Sequence, residues 1–90
     1  MYELVFSGSF KKDYKRIKKR AYNLALLTEV FSQLIEKGCV DNQFHPHKLT
    51  GNYSGCWECH LQTDWHLVWE VEEESKLIKL IATGTHSDLF

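Results

Sequence analysis

Histidine is the side chain whose proton equilibrium lies nearest neutrality, and this sequence holds five of them in 90 residues. His45 and His47 fall in a polar stretch, His60 follows Cys56-Trp57-Glu58-Cys59 directly, and His86 lies four residues from the C-terminus. Glu58 and Asp64 sit close by in sequence. Imidazoles and carboxylates gathered at one place can take a proton from a hydroxyl and return one to a leaving oxygen. Acid–base chemistry is therefore the first function class the residues suggest. On spacing alone, a solvated surface histidine is the plainer reading of each one.

The same segment offers a second chemistry. Cys56 and Cys59 form a C-x-x-C, the spacing of a zinc or redox pair. A structural zinc site usually has a second ligand pair. If 56–62 is a strand, positions 56 and 59 point to opposite faces. Zinc and dithiol readings are therefore set aside, and no metal or cofactor is expected. Alternation also puts Cys56, Glu58 and His60 on one face and Trp57, Cys59 and Leu61 on the other. Glu58 and His60 are then ~6.5–7 Å apart along the strand. The three cysteines are an odd number, which reads as reduced thiols and a cytoplasmic setting.

The elements that must carry these groups can be read from periodicity. Residues 2–7 alternate as a short strand, and Ser9 is a plausible cap for the helix that follows. Phe10, Tyr14, Ile17 and Ala21 then recur at helical spacing. Around them lie Lys11, Lys12, Lys15, Arg16, Lys18, Lys19 and Arg20. Asn23 breaks or caps a second helix of Leu24, Leu27, Val30, Phe31, Leu34 and Ile35, which stops at Lys37-Gly38. Residues 39–55 read as loop. Strands follow at about 56–62, 65–71 and 76–83, joined by polar turns. Trp65, Leu67, Trp69 and Val71 alternate with His66, Val68 and Glu70, and the two tryptophans read as core.

The order β-α-α-β-β-β predicts an α+β fold: a small, mostly antiparallel four-stranded sheet with a two-helix hairpin on one face. The first strand could sit at an edge of the sheet or within it. One domain over 1–90 is expected from length.

Composition narrows the functions. Hydrophobic residues make up 43% and charged residues 26%, as in ordinary soluble domains. No apolar run reaches the ~18 residues of a membrane span, and residues 1–6 do not look like a signal peptide. Gly-rich phosphate loops and serine-nucleophile motifs are absent. The net charge is only −1. It conceals the basic block at 11–20, which reads either as a solvated helix face or as a grip on a phosphate backbone.

Three stretches carry a family likeness: His47-Lys48-Leu49-Thr50-Gly51 through Glu58-Cys59-His60, Asp64-Trp65, and Thr83-Gly84-Thr85-His86-Ser87-Asp88-Leu89-Phe90. In this order, across essentially the whole chain, the sequence resembles the YafQ branch of the RelE/ParE toxin superfamily, the toxins of bacterial type II toxin–antitoxin systems. The resemblance implies a RelE-like fold and a ribosome-dependent messenger RNA endonuclease. The ribose 2′-OH would attack the adjacent phosphate without a metal.

The resemblance also implies the site residues. His47 and His86 would transfer protons, with His60 as phosphate ligand or second proton-transfer group and Asp64 as base or orienting carboxylate. Glu58 holds an acidic position, and Trp65 and Phe90 shape the site or contact a base. The implied partners are a cognate antitoxin, the ribosome with its A-site mRNA reached through the basic block, and operator DNA bound through the antitoxin. Cys56-Trp57 stands where the family commonly has Tyr-Arg, and a nearby lysine, Lys48 or one from the basic helix, could replace that charge. His66 and Trp69 stand where aliphatic or tyrosine residues are usual. Two alternatives remain open at this point: a non-nuclease member of the gyrase-poison type, and a weakly catalytic RNA- or protein-binding module.

Overall fold

The computed structural model describes residues 1–90. The elements run β1 (Glu3–Phe6), α1 (Gly8–Lys18), α2 (Leu24–Lys37), β2 (His47–Lys48), β3 (Trp57–Gln62), β4 (Trp65–Glu72), β5 (Leu77–Gly84) and α3 (His86–Leu89), with 3-10 turns at Asn42–Phe44 and Gly51–Tyr53. The class is the expected α+β, but the sheet has five strands, in the order β1-β5-β4-β3-β2. The extra strand is the two-residue β2, where His47 pairs with Glu58 and Lys48 with Trp57. Two residues leave no periodicity to read, so the expected 39–55 loop conceals it.

β1 takes an edge and runs parallel to β5, while the other pairs are antiparallel. The α1–α2 crossover makes the parallel pairing possible, because adjacent parallel strands need a long connection.

Ser7, not Ser9, caps α1: its hydroxyl accepts from the Phe10 amide at 3.0 Å. Ser9 has a different task. Trp69 pairs with Leu80 and Val68 with Ala82, so Ile81 is an extra residue in β5. The Ile81 carbonyl accepts from the Ser9 hydroxyl at 2.7 Å and from Ser7 at 3.3 Å. The bulge resets the alternation, so that Leu80 and Thr83, three residues apart, both turn toward the helices. α2 begins at Asn23, whose side chain accepts from Ala25 N at 3.1 Å, and ends at Gly38 with φ 72°. A side chain at Gly38 would be strained by that backbone and would run into the Tyr2 ring.

Phe10 and Ile17 of α1 and Leu27, Val30 and Leu34 of α2 bury themselves against Cys59, Leu61, Trp65, Leu67, Trp69, Ile78 and Leu80 of the sheet. This is the main core. The opposite sheet face has only a small apolar cluster of Cys56, Val68 and Ala82, with Leu49, Tyr53, Ile81 and Leu89 packed around it. That thinly covered outer face carries the polar groups. No helix is long and apolar enough to cross a membrane.

Candidate active site

The hairpin of β3 and β4 sets the geometry. Gln62 pairs with Trp65 and His60 with His66, so alternation sends Glu58, His60 and His66 to the outer face. β2 adds His47 directly across from Glu58. Glu58 is the centre of the group and only 4% exposed. Its Oε1 lies 3.0 Å from His47 Nε2 and 3.4 Å from His60 Nε2, while Oε2 lies 3.4 Å from His66 Nδ1. A buried carboxylate is costly unless paired, and three imidazoles supply its partners. His47 Nδ1 meets the His45 carbonyl at 3.0 Å. A carbonyl can only accept, so Nδ1 donates and Nε2 is the nitrogen left facing the cluster.

The rings continue across the face. His60 lies 5.8 Å from His47, 6.2 Å from His45 and 4.6 Å from His66, centroid to centroid. His66 lies 6.1 Å from His86, which is 5.1 Å from Phe90. Tyr53 meets the far edge of Phe90 at 5.5 Å. Leu49, Thr50, Glu58, His60, His66, His86 and Phe90 line a cavity of about 330 Å³.

Asp64 closes the other end. It occupies the tight β3–β4 turn with φ 69°, a left-handed conformation that Asp tolerates better than most residues. Its Oδ1 accepts from the His86 backbone N–H at 2.7 Å and lies 3.4 Å from His66 Nε2. The carboxylate thus sits at the N-terminus of α3. Thr85 and Asp88 form a reciprocal capping box on the same turn. Asp88 also takes Arg20 Nη1 at 2.7 Å, and that guanidinium holds its carboxyl well below the usual carboxylate range. His86 is therefore fixed by two carboxylates, not carried on a loose C-terminal tail.

Comparison with known proteins now decides the family. The family model described as the bacterial toxin of type II toxin–antitoxin system, YafQ, matches residues 2–90. The chain belongs to the YafQ toxin family. It is 29% identical over 89 residues to the mRNA interferase toxin YafQ of Escherichia coli K12, covering 98% of this chain and 95% of that one. Among solved structures, a metal-bound toxin from Helicobacter pylori matches with TM-score 0.89 at 31% identity, covering all of both chains. YafQ in the E. coli DinJ–YafQ complex matches with TM-score 0.87 at 28% identity, covering 100% of this chain and 99% of that one.

Most residues expected from the YafQ resemblance converge. His47, Glu58, His60, Asp64, His86 and Phe90 meet at one place on the outer face. Trp65 does not join them. It is fully buried on the helix side, stacked on Tyr22 at 4.7 Å, with its indole N–H donating to Thr83 Oγ1 at 2.9 Å. It cannot touch a substrate base, and the periodicity reading of Trp65 as core is the one that holds. Lys48 also turns away: its Nζ lies 5.8 Å from the centre of the Trp57 ring. Trp57 packs against the helix-side core, on the face away from Glu58. Lys48 and Trp57 thus contact each other and not the histidine cluster.

The residue that sequence reasoning overlooked is His66. It is 8% exposed and lies between Glu58 and Asp64. The alternation Trp65-His66-Leu67 was signal enough to place it on the outer face. What was missing was the cross-strand register with His60.

The cysteines separate as alternation required, with Cys59 in the helix-side core and Cys56 in the outer cluster. Burial pushes the Cys59 thiol up to about 12, and raises Cys56 as well. Metal-ligating potential lies elsewhere. His47, Glu58 and His60 each offer a ligand atom, all within 4.8 Å of one another. Two imidazoles and a carboxylate suit zinc, copper or nickel.

The basic block forms a different region. Lys11, Lys15 and Lys18 wall a groove of about 510 Å³ floored by Phe6, Phe10, Tyr14, Leu24, Leu27 and Phe31. Lys12 and Lys19 are exposed. Arg16 is paired with Asp13 at 2.9 Å and Arg20 with Asp88 at 2.7 Å.

Proposed function

We propose that this chain is an mRNA interferase that cuts translated messenger RNA on the ribosome. The observation that carries the reading is the cluster of His47, Glu58, His60, Asp64 and His86 on one thinly covered sheet face. In the reaction, the 2′-oxygen attacks phosphorus and the bond from phosphorus to the 5′-oxygen breaks. The products are a cyclic phosphate and a free 5′-hydroxyl. One group must take the 2′ proton and another must protonate the leaving oxygen. His86 lines the cavity and His47 stands beside it against Glu58 and His60, and these two fill the roles. His60, between them, contacts the phosphate, and Glu58 holds His47 and His60 in place. Lys48, Arg16 and Arg20 do not line the cavity, so stabilising the phosphorane falls to the hydrogen-bond donors of the histidine cluster. Phe90 gives a flat apolar wall for a base.

Its partners are a cognate antitoxin, the ribosome with A-site mRNA, and operator DNA bound through the antitoxin. The setting is the cytoplasm. A gyrase-poison role has no use for five histidines within ring contact, and nothing in the site favours it. A divalent ion held by His47, Glu58 and His60 would supply a fixed positive charge but would occupy the ring nitrogens that carry protons. Copper or zinc added to the protein is therefore expected to inhibit, and a chelator to leave cleavage intact. Primer extension on messenger RNA from expressing cells tests the whole reading. Codon-phased cuts within translated regions are expected, and growth arrest with intact messages would overturn it.

A further inference from the structure

We infer that His66 is a positioning residue for this cleavage: its ring stands between the carboxylates of Glu58 and Asp64, and its Nε2 side bears on the Asp64 oxygen that holds the turn presenting His86. The inference rests on the nuclease reading above only for its effect on rate. Its geometric half stands alone.

Three observations carry it. His66 is almost fully buried, yet it stands on the outer face and lines the cavity. Its two ring nitrogens reach two different carboxylates, Nδ1 toward Glu58 Oε2 and Nε2 toward Asp64 Oδ1, each at 3.4 Å. That same Asp64 oxygen accepts the His86 N–H at 2.7 Å. The chain Glu58–His66–Asp64–His86 thus runs from the floor of the site to the start of α3.

A histidine kept only for bulk would do as well with its nitrogens elsewhere. This one leaves Nδ1 buried without a well-formed hydrogen bond, so Glu58 is the one partner within reach. A leucine there would fill a similar volume but carry neither nitrogen. Its loss would show in Asp64, whose left-handed turn aims a half-exposed carboxylate that nothing else on the sheet restrains from the β4 side. Asp64 would then swing, and the His86 turn with it. A displacement near 1 Å at a proton-transfer group costs on the order of 10²-fold in rate.

The test compares His66→Leu with His66→Gln in the full chain, since glutamine keeps a donor that can reach Asp64. The first readout is the His86 backbone amide by NMR. His66→Leu is expected to shift it and speed its hydrogen exchange, and His66→Gln to leave it near the parent position. The second is cleavage on programmed ribosomes. His66→Leu should lower kcat by at least ~10-fold with KM within about twofold, and His66→Gln should restore most of it.

An unmoved His86 amide together with an unchanged kcat in His66→Leu overturns the inference. So does equal loss in both variants in proportion to a fall in Tm, which would make His66 a packing residue. A parent protein that cuts no message, while the His86 amide still moves in His66→Leu, overturns the nuclease reading and leaves the positioning role standing.

Discussion

The outer face of β2, β3 and β4 and the groove between α1 and α2 both gather ionisable side chains, but by different means. On the outer face, each group is placed by strand register. Glu58 is buried and within 3.4 Å of three imidazoles, and the backbone on every side is hydrogen-bonded. In the groove, Lys11, Lys15 and Lys18 stand at helical spacing around an apolar floor, held by no salt bridge, with Lys18 Nζ 5.4 Å from the centre of the Tyr14 ring. The first arrangement suits bond-making steps, which need atoms held to a fraction of an ångström. The second suits affinity, which tolerates flexible charge and falls with salt. On the proposed function, chemistry and binding would fall on two sides of the sheet, and substitutions should separate them.

The largest effect is expected at His86. His86→Ala should lower the cleavage rate ~10²–10⁴-fold, the usual cost of removing a general acid or base. Its side chain is exposed, so circular dichroism and antitoxin binding should be unchanged. Single-turnover assays on programmed ribosomes give the rate. Cleavage at the parent rate would mean that the outer face is not the seat of the chemistry.

Trp65→Ala sharpens the contrast from the other direction. The indole is buried in the helix-side core, stacked on Tyr22 and bonded to Thr83. Its removal should cost about 3–5 kcal/mol of stability, read by urea unfolding. Trp65→Phe, which keeps much of the volume, should retain most of the activity once folded. A folded Trp65→Phe protein with the kinetic loss of His86→Ala would return Trp65 to the site.

The helix side carries the third test. Changing Lys11, Lys15 and Lys18 to Ala should weaken both antitoxin and ribosome binding and flatten their salt dependence, with kcat retained at saturation. The groove suits an acidic amphipathic helix, whose apolar face would cover Phe10, Leu27 and Phe31. Binding that keeps its affinity and salt slope in the triple variant, measured by calorimetry, would place the antitoxin elsewhere.

These tests also mark what sequence could and could not supply. The order of elements was legible because α1, α2 and the three long strands each repeat their apolar residues at a clear period. Glu58 and His60 could be placed on one face from alternation within a single strand. His47 against Glu58, and His66 against His60, depend on pairing between strands, which no local period encodes. Trp65 shows the opposite case: its periodicity read core, its place in the family motif read site, and burial decided for the core. The Ile81 bulge was hidden because it depends on the pairing of β4 with β5, whereas the Ser7 cap is a local contact to the Phe10 amide that competed with Ser9 two residues on.

The smallest effect links the two regions. Arg20, at the end of the basic segment, reaches across to Asp88 in the turn that holds His86. Asp88 is lowered from the ordinary carboxylate range, first by the Arg20 hydrogen bond and then by the Thr85 backbone. A carboxyl that is more acidic when folded contributes stability above its unfolded value of about 3.9, and loses it as pH falls through the lower folded value. At neutral pH the contribution is present in full. The pair lies near the surface and is screened by salt, so Asp88→Asn should lower Tm at pH 7 only by a few degrees. The difference between parent and variant should then shrink steadily below pH 4. Because Asp88 also accepts the Thr85 N–H at 2.9 Å, the variant should fray α3 before the sheet opens, and the His86 amide should exchange faster than those of β4. A Tm gap that stays constant down to pH 2 would mean that the carboxylate charge is not what holds this turn.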